Sequence, residues 1–185
     1  MPSISEPIAA GADDIYTIPG IGINPNAANI IVGDVTYLFR CGLRFQTIAL
    51  SQAEVINSAT ISTTRTGISG TPTLRIYGAD EDDAPAWGTS GSPVGDITKT
   101  AASAVVDTGA GTVTHDVTDI VQEIVDRVGW ASGGDMRFGV FPTGTQFAYL
   151  RFAAYEHATL AAAVLDVEFG AAAAEHRPLM MMGVG

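Results

Sequence analysis

The sequence predicts an all-β protein, an antiparallel β-sandwich with one short helix and extended N- and C-terminal arms. Three observations carry this expectation. Short runs rich in β-branched and aromatic residues recur along the chain, with Gly, Asn or Ser between them. Their spacing is that of strand following strand, not of strands alternating with helices. One segment alone switches to a helical period.

Residues 1–14 are small, polar and aperiodic, and 15–28 carry two prolines and two glycines, so 1–28 read as an N-terminal arm running into extended coil. Strand character follows at 29–32, 36–45, 47–50, 59–64 and 71–77, and again at 104–107, 112–116, 136–142, 149–155 and 163–169. Between them, 116–129 place apolar residues at 117, 120, 121, 124, 125 and 128, one stripe of a three-turn helix. Asp116 or Thr118 caps its start, and Gly129 is expected to end it in a left-handed conformation. Ile120, Val121, Ile124 and Val128 should face the end of the sandwich, with Trp130 packed behind. The division expected is therefore arm 1–28, sandwich 29–170 and an apolar tail 171–185. That tail contains Leu179, Met180, Met181 and Met182, flexible side chains suited to a contact surface.

A length of 185 residues suits one domain with a substantial core. Nine basic residues against twenty acidic ones give a net charge of −11, and Lys99 is the single lysine. No basic patch stands out, which argues against a nucleic-acid partner. Polar residues interrupt every window long enough to span a bilayer, which argues against a membrane segment. The opening residues, MPSISEPIAAGADD, lack the basic and apolar regions of a secretion signal. Cys41 stands alone in an apolar run and reads as a buried, inert thiol.

Motifs that carry chemistry are scarce. His115, His157 and His176 show neither HxH nor HExxH spacing and have no cysteine partners, so zinc is not expected. There is no GxSxG elbow or Walker pattern, and Gly109-Ala110-Gly111 joins two strand-like runs without a helix to receive a phosphate. The cluster Asp80-Glu81-Asp82-Asp83, followed by Pro85 and Trp87, is the one concentration of carboxylates. Calcium at Asp80, Asp82 and Asp83 is one reading, although the alternation, glycine and distal glutamate of an EF-hand are missing. Neighbours on one loop do not face each other across a cleft as a glycosidase pair must. The favoured reading is a solvated strand-to-loop junction whose proline and tryptophan pack back on the sandwich rim. No catalytic residue and no cofactor is expected.

The succession "NIIVGDVTYLFRCGLRFQ", "ALSQAEVINSATISTT", "GTPTLRIYGADEDDAPAW", "DVTDIVQEIVDRVGW", "MRFGVF", "YLRFAAYE" and "AVLDVEF" resembles a jelly-roll β-sandwich of tailed-bacteriophage virion proteins. It is also similar to DNRLRE-type and carbohydrate-binding-like sandwiches. The likeness covers roughly 28–169, with its elements on 43–45, 56–62, 75–87, 116–133 and 165–169. It implies a jelly roll and a non-enzymatic structural protein of the virion. Of these, a capsid decoration (cement) protein that stabilises the head by bridging capsomers is the favoured form. Its partners would be the major capsid protein or another virion protein, and further copies of itself in a homo-oligomer. The alternatives are a tail or fibre component, or a carbohydrate-binding module or adhesin displayed on the virion. In the last case Phe147 and Tyr149 would lie on an exposed edge, with Trp87 and Trp130 as packing residues.

Overall fold

Side chains on a strand alternate between faces, and the long strands of this chain use that alternation to fill one interior. In the computed structural model, residues 1–25, 27–34, 36–88, 93–144 and 147–170 are described. They form β1 (Ser3–Pro7), β2 (Asp14–Ile18), β3 (Gly22–Asn24), β4 (Asn29–Asp34), β5 (Leu38–Ile48), β6 (Ile56–Ser69), β7 (Leu74–Gly78) and β8 (Ala104–Val105). Then come β9 (Thr112–Asp116), α1 (Thr118–Val125), β10 (Gly134–Pro142), β11 (Ala148–Ala153) and β12 (Val164–Phe169). Pairing is antiparallel throughout and follows the path β1-β12-β6-β11-β4-β5-β10-β7-β8, with β2 and β3 added at β5 and β9 at β6. The chain is an all-β, jelly-roll-like sandwich with one short helix, as the sequence predicts.

Curling comes from long strands that change partners along their length. β6 pairs with β12 and β9 through its first half and with β11 from Arg65 to Ser69, with an irregularity at Arg151/Phe152. β5 holds β4 only at Leu38 and Phe39, then β2 from Arg40 to Leu43, while β10 follows its other edge. Inside, Cys41, Leu43 and Phe45 of β5 meet Met136, Phe138 and Val140 of β10 and Ile30 and Val32 of β4, all at most 2% exposed. Phe45 and Phe138 pack edge to face with centroids 5.8 Å apart. Cys41 is fully buried, and burial pushes its thiol well above the usual range, so the inert reading holds.

Three details differ from the sequence expectation. Residues 1–28 are not an arm: β1 pairs with β12 from Ser3↔Glu168 to Pro7↔Val164, and β2 pairs with β5 from Asp14↔Leu43 to Thr17↔Arg40. Ile8 and Ile15 are buried there. β1 has the composition of a guarded edge, five residues with Glu6 and Pro7, which hides its strand character. The runs at 36–45 and 47–50 are largely one strand, β5, which passes through Thr47 at φ 56.

The helix is shorter than its periodicity suggests. Ile120, Val121, Ile124 and Val125 are buried, but Val128 is 92% exposed because α1 ends at Val125. Its first turn has no side-chain cap at Val117; instead Asp116 Oδ1 accepts from the Thr118 N–H at 3.0 Å, one residue upstream. Gly129 is not in the left-handed region, and the exit is a series of turns in which the Arg127 N–H donates to Ile124 O and the Trp130 N–H to Arg127 O. Trp130 is buried as expected, its indole N–H donating to Leu50 O at 2.9 Å. α1 approaches β7 closely: a Cβ on Gly78 would lie 2.7 Å from Ile120 and 2.9 Å from Ile124. Among the described residues no helix is long and apolar enough to cross a membrane.

Candidate functional site

Two arginines face each other on the outer surface of the β5–β10 pair. In Leu43-Arg44-Phe45 and Met136-Arg137-Phe138 the apolar neighbours point into the core, and the register sets Arg137 directly opposite Arg44. Like charges so placed repel across a ladder. The long connection after β7 answers Arg137 with Glu81, while Arg44 is met by Asp13, Asp135 and the carbonyl of Ala84.

Asp80-Glu81-Asp82-Asp83 lies along this surface as a strap. Glu81 pairs with Arg137, whose guanidinium donates to Glu81 Oε2 at 2.6 Å and lies 4.7 Å from the centre of the Trp87 ring. Arg44 donates to Asp13 Oδ1 at 2.8 Å, to Ala84 O at 3.2 Å and to Asp135. Arg127 joins Asp80 and Asp82, and Asp83 Oδ1 accepts from the Asp135 N–H at 2.9 Å. Trp87 closes the strap, 6% exposed, its indole N–H reaching Asp13 O at 3.3 Å. It lies on Gly42, where a Cβ would come within 2.7 Å of the ring. Together with Ile15, Ala79, Val94, Ile97 and Phe141 it forms a second, smaller apolar cluster.

The packing of Trp87 on the rim therefore holds, while Pro85 is exposed; Asp82 and Asp83 are solvated as the sequence suggests, but the carboxylates are paired rather than free. Asp80, Asp82 and Asp83 turn to a guanidinium and a backbone N–H and do not converge on a common point. Among the described residues no group of three or more His, Cys, Asp or Glu side chains is arranged to hold a metal ion. In thermal melts, EDTA is expected to leave the midpoint unchanged and calcium not to raise it, since a bound ion stabilises by mass action.

The strap's partners were not singled out in the sequence. Arg127 and Arg137 stand 45 and 56 residues from Asp82 and Glu81, so no local pattern links them. The available signal was the repeated Leu/Met-Arg-Phe tripeptide in an otherwise base-poor chain.

The two described histidines serve the fold. His115, on β9, is 2% exposed. Its Nδ1 accepts from the Asp107 N–H at 3.2 Å, which leaves Nε2–H to donate to Thr63 Oγ1 at 2.9 Å. Burial holds its pKa below the usual 6.5, against the opposing pull of Asp107. His157 Nδ1 accepts from the Thr159 and Leu160 N–H groups and ties a turn. His176 lies outside the described residues, as do Leu179, Met180, Met181 and Met182. Gly109-Ala110-Gly111 joins β8 to β9.

Phe147 is 75% exposed and holds a left-handed φ of 42, while the Arg151 guanidinium lies 4.9 Å from the Tyr149 ring centre. Tyr149 is half-buried on β11, which pairs with β4 on one side and β6 on the other, so it does not lie on a sheet edge. Asp14, on β2, is a buried carboxylate outside the strap. Its Oδ2 accepts from the Tyr155 N–H at 2.7 Å, and its Oδ1 has no partner among the described residues. Burial pushes its pKa up to about 7; the Tyr155 bond opposes this, and Glu156 and Asp13 add to it. No protein-family model and no curated protein matches the chain.

Proposed function

We propose that the protein is a non-enzymatic structural subunit of a tailed-phage virion, in the form of a capsid decoration protein bridging capsomers as a homo-oligomer. The resemblance in the order of motifs from 28 to 169 suggests the class. Fold alone does not assign function, so the argument turns on surfaces. The observation that carries it lies at the end of β12. Gly170 is pinned there, its N–H on Val55 O and its carbonyl accepting from Asn57 Nδ2. Beside it Val55 is 45% and Met1 78% exposed. The apolar segment 171–185 follows directly. Apolar surface next to an apolar segment is the composition of a contact region. The acidic strap supports the same reading, since its carboxylates serve the fold.

Mass spectrometry of purified particles tests the proposal. Copy number comparable with that of the major capsid protein is expected; a few copies per particle points to a tail or fibre, and absence overturns it. Removing 176–185 should leave the sandwich folded but lower oligomer mass and particle occupancy, because a stable interface needs more than about 1,000 Å². Equal occupancy of truncated and full-length protein would refute the role of the segment.

A further inference from the structure

The strap answers only part of the outer surface that it crosses. On β5 the buried Cys41 turns its neighbour Arg40 outward, and on β7 the buried Leu74 and Ile76 do the same for Arg75. Phe141 of β10 lies between them. It pairs with Arg75, and the Arg40 guanidinium is 5.9 Å from its ring centre. Lys99 covers the same ring, its Nζ 3.7 Å from that centre and 4.7 Å from the centre of Tyr77. Three of the nine basic residues thus gather at one ring. Among the described residues neither Arg75 nor Lys99 meets a carboxylate, and Arg75 Nη1 donates to Ser103 Oγ at 2.8 Å. Burial, with the neighbouring charge of Arg40, holds the Lys99 pKa below its ordinary value.

Across the core, the outer face of β1, β12, β6 and β9 carries the reverse charge. Register sets Asp166 of β12 and Asp116 of β9 on either side of Thr60 of β6, with Ser5 of β1 in the same row. Glu168 stands two residues along β12 on the same face, while Leu165, Val167 and Ile61 point inward and are buried. Among the described residues none of these three carboxylates joins an ion pair, and Asp116 accepts from Thr118. The two faces match in spacing as well as in sign. Arg40 and Arg75 flank Phe141 from the strands on either side of β10, as Asp166 and Asp116 flank Thr60. Each pair therefore stands two strand spacings apart, about 10 Å. Both faces back onto the one apolar core, so they look outward from different sides of it.

We propose that the face of Arg40, Lys99 and Arg75 docks on the face of Asp166, Glu168 and Asp116 of a second copy. The joint sets one surface against a different one, so it closes into a ring or continues as a stack. Chains of net charge −11 repel one another, and placing the gathered cations on carboxylates turns repulsion into attraction at one place and fixes how copies orient. This rests on the homo-oligomer of the reading above and gives it a contact besides the segment 171–185.

The test is sedimentation velocity of the full-length protein at about 0.05 M and about 0.5 M NaCl. Association is expected at the lower salt, with a dissociation constant that rises about tenfold or more at the higher. Lys99→Glu and Asp166→Lys should each weaken association by a similar factor. An equimolar mixture of the two should recover it, because each supplies the intact face that the other lacks. Both side chains lie on outer faces, so unchanged melting curves accompany the variants. Oligomers whose mass ignores salt, or a mixture no more associated than its parts, overturn the charged contact and leave the homo-oligomer to the apolar segment. A monomer at both salts overturns both, and lower particle occupancy of Lys99→Glu would then assign the basic face to another virion protein. The salt comparison uses the unmodified protein and decides the matter even if a variant misfolds.

Discussion

Replacing Arg44 with methionine is expected to cost about 3–5 kcal/mol and to lower the melting temperature by on the order of 10 °C. Methionine retains much of the apolar stem, so the loss reads the guanidinium. That group answers Asp13, whose side chain is 2% exposed, and also Asp135 and the carbonyl of Ala84. Without it Asp13 keeps one side-chain donor, Gln46 Nε2 at 2.6 Å, and a buried charge is left short of compensation. Arg127 provides the contrast. Its partners Asp80 and Asp82 are 36% and 47% exposed, so the same exchange there should cost about 1 kcal/mol or less despite two carboxylates. Adding Asp13→Asn to Arg44→Met should recover part of the loss, giving a double variant less damaged than the sum of the singles. Urea melts of the four proteins measure this. A cost below about 1 kcal/mol for Arg44→Met, or simple additivity, would show that Asp13 does not depend on the guanidinium for compensation.

Much of the sandwich is legible locally, and its misses have a common cause. β5, β6, β11 and β12 announce themselves through alternation, because each contributes one face to a buried interior, and β10 through an apolar run, since the second cluster covers its other face. β1 and β2 do not, since what makes them strands is a partner far along the chain: Ser3 pairs with Glu168, and Asp14 with Leu43. A Ser/Glu/Pro segment reads as coil until an edge is there to receive it. Val128 fails in the opposite sense. Its spacing is helical, but Arg127 beside it is tethered to the strap and the chain has already left the helix. The acidic cluster was visible as a concentration of charge, and its role was not, because its arginines come from far along the chain, Arg137 by the register of β10 and Arg127 by the turns after α1.

Asp14→Asn should stabilise the protein increasingly as pH rises from 4 to 8. The carboxyl has an ordinary value of 3.8 and is pushed to about 7 in the fold, chiefly by burial. Below the lower value it is protonated in both states and contributes nothing. Between the two values the unfolded chain ionises while the folded one stays neutral, so stability falls as pH rises. Above about pH 7 the folded carboxyl ionises too and the loss levels off. About three pH units correspond to on the order of 4 kcal/mol. Asparagine has nearly the same shape, keeps an oxygen for the Tyr155 N–H, and does not ionise. The two proteins should therefore be about equally stable near pH 4 and diverge by several kcal/mol by pH 8, in favour of the variant. His115 acts with the other sign. Its lowered pKa makes stability fall as pH drops below 6.5, so the wild-type curve alone mixes the two effects. The difference between the proteins removes the histidine, which both share. Urea melts across pH 4–8 provide that difference, and an offset independent of pH would rule out a buried, neutral Asp14. A divergence confined to this window would instead mark Asp14 as a cost the fold bears at neutral pH, since among the described residues no cation pairs with the carboxylate and its Oδ1 goes without a partner.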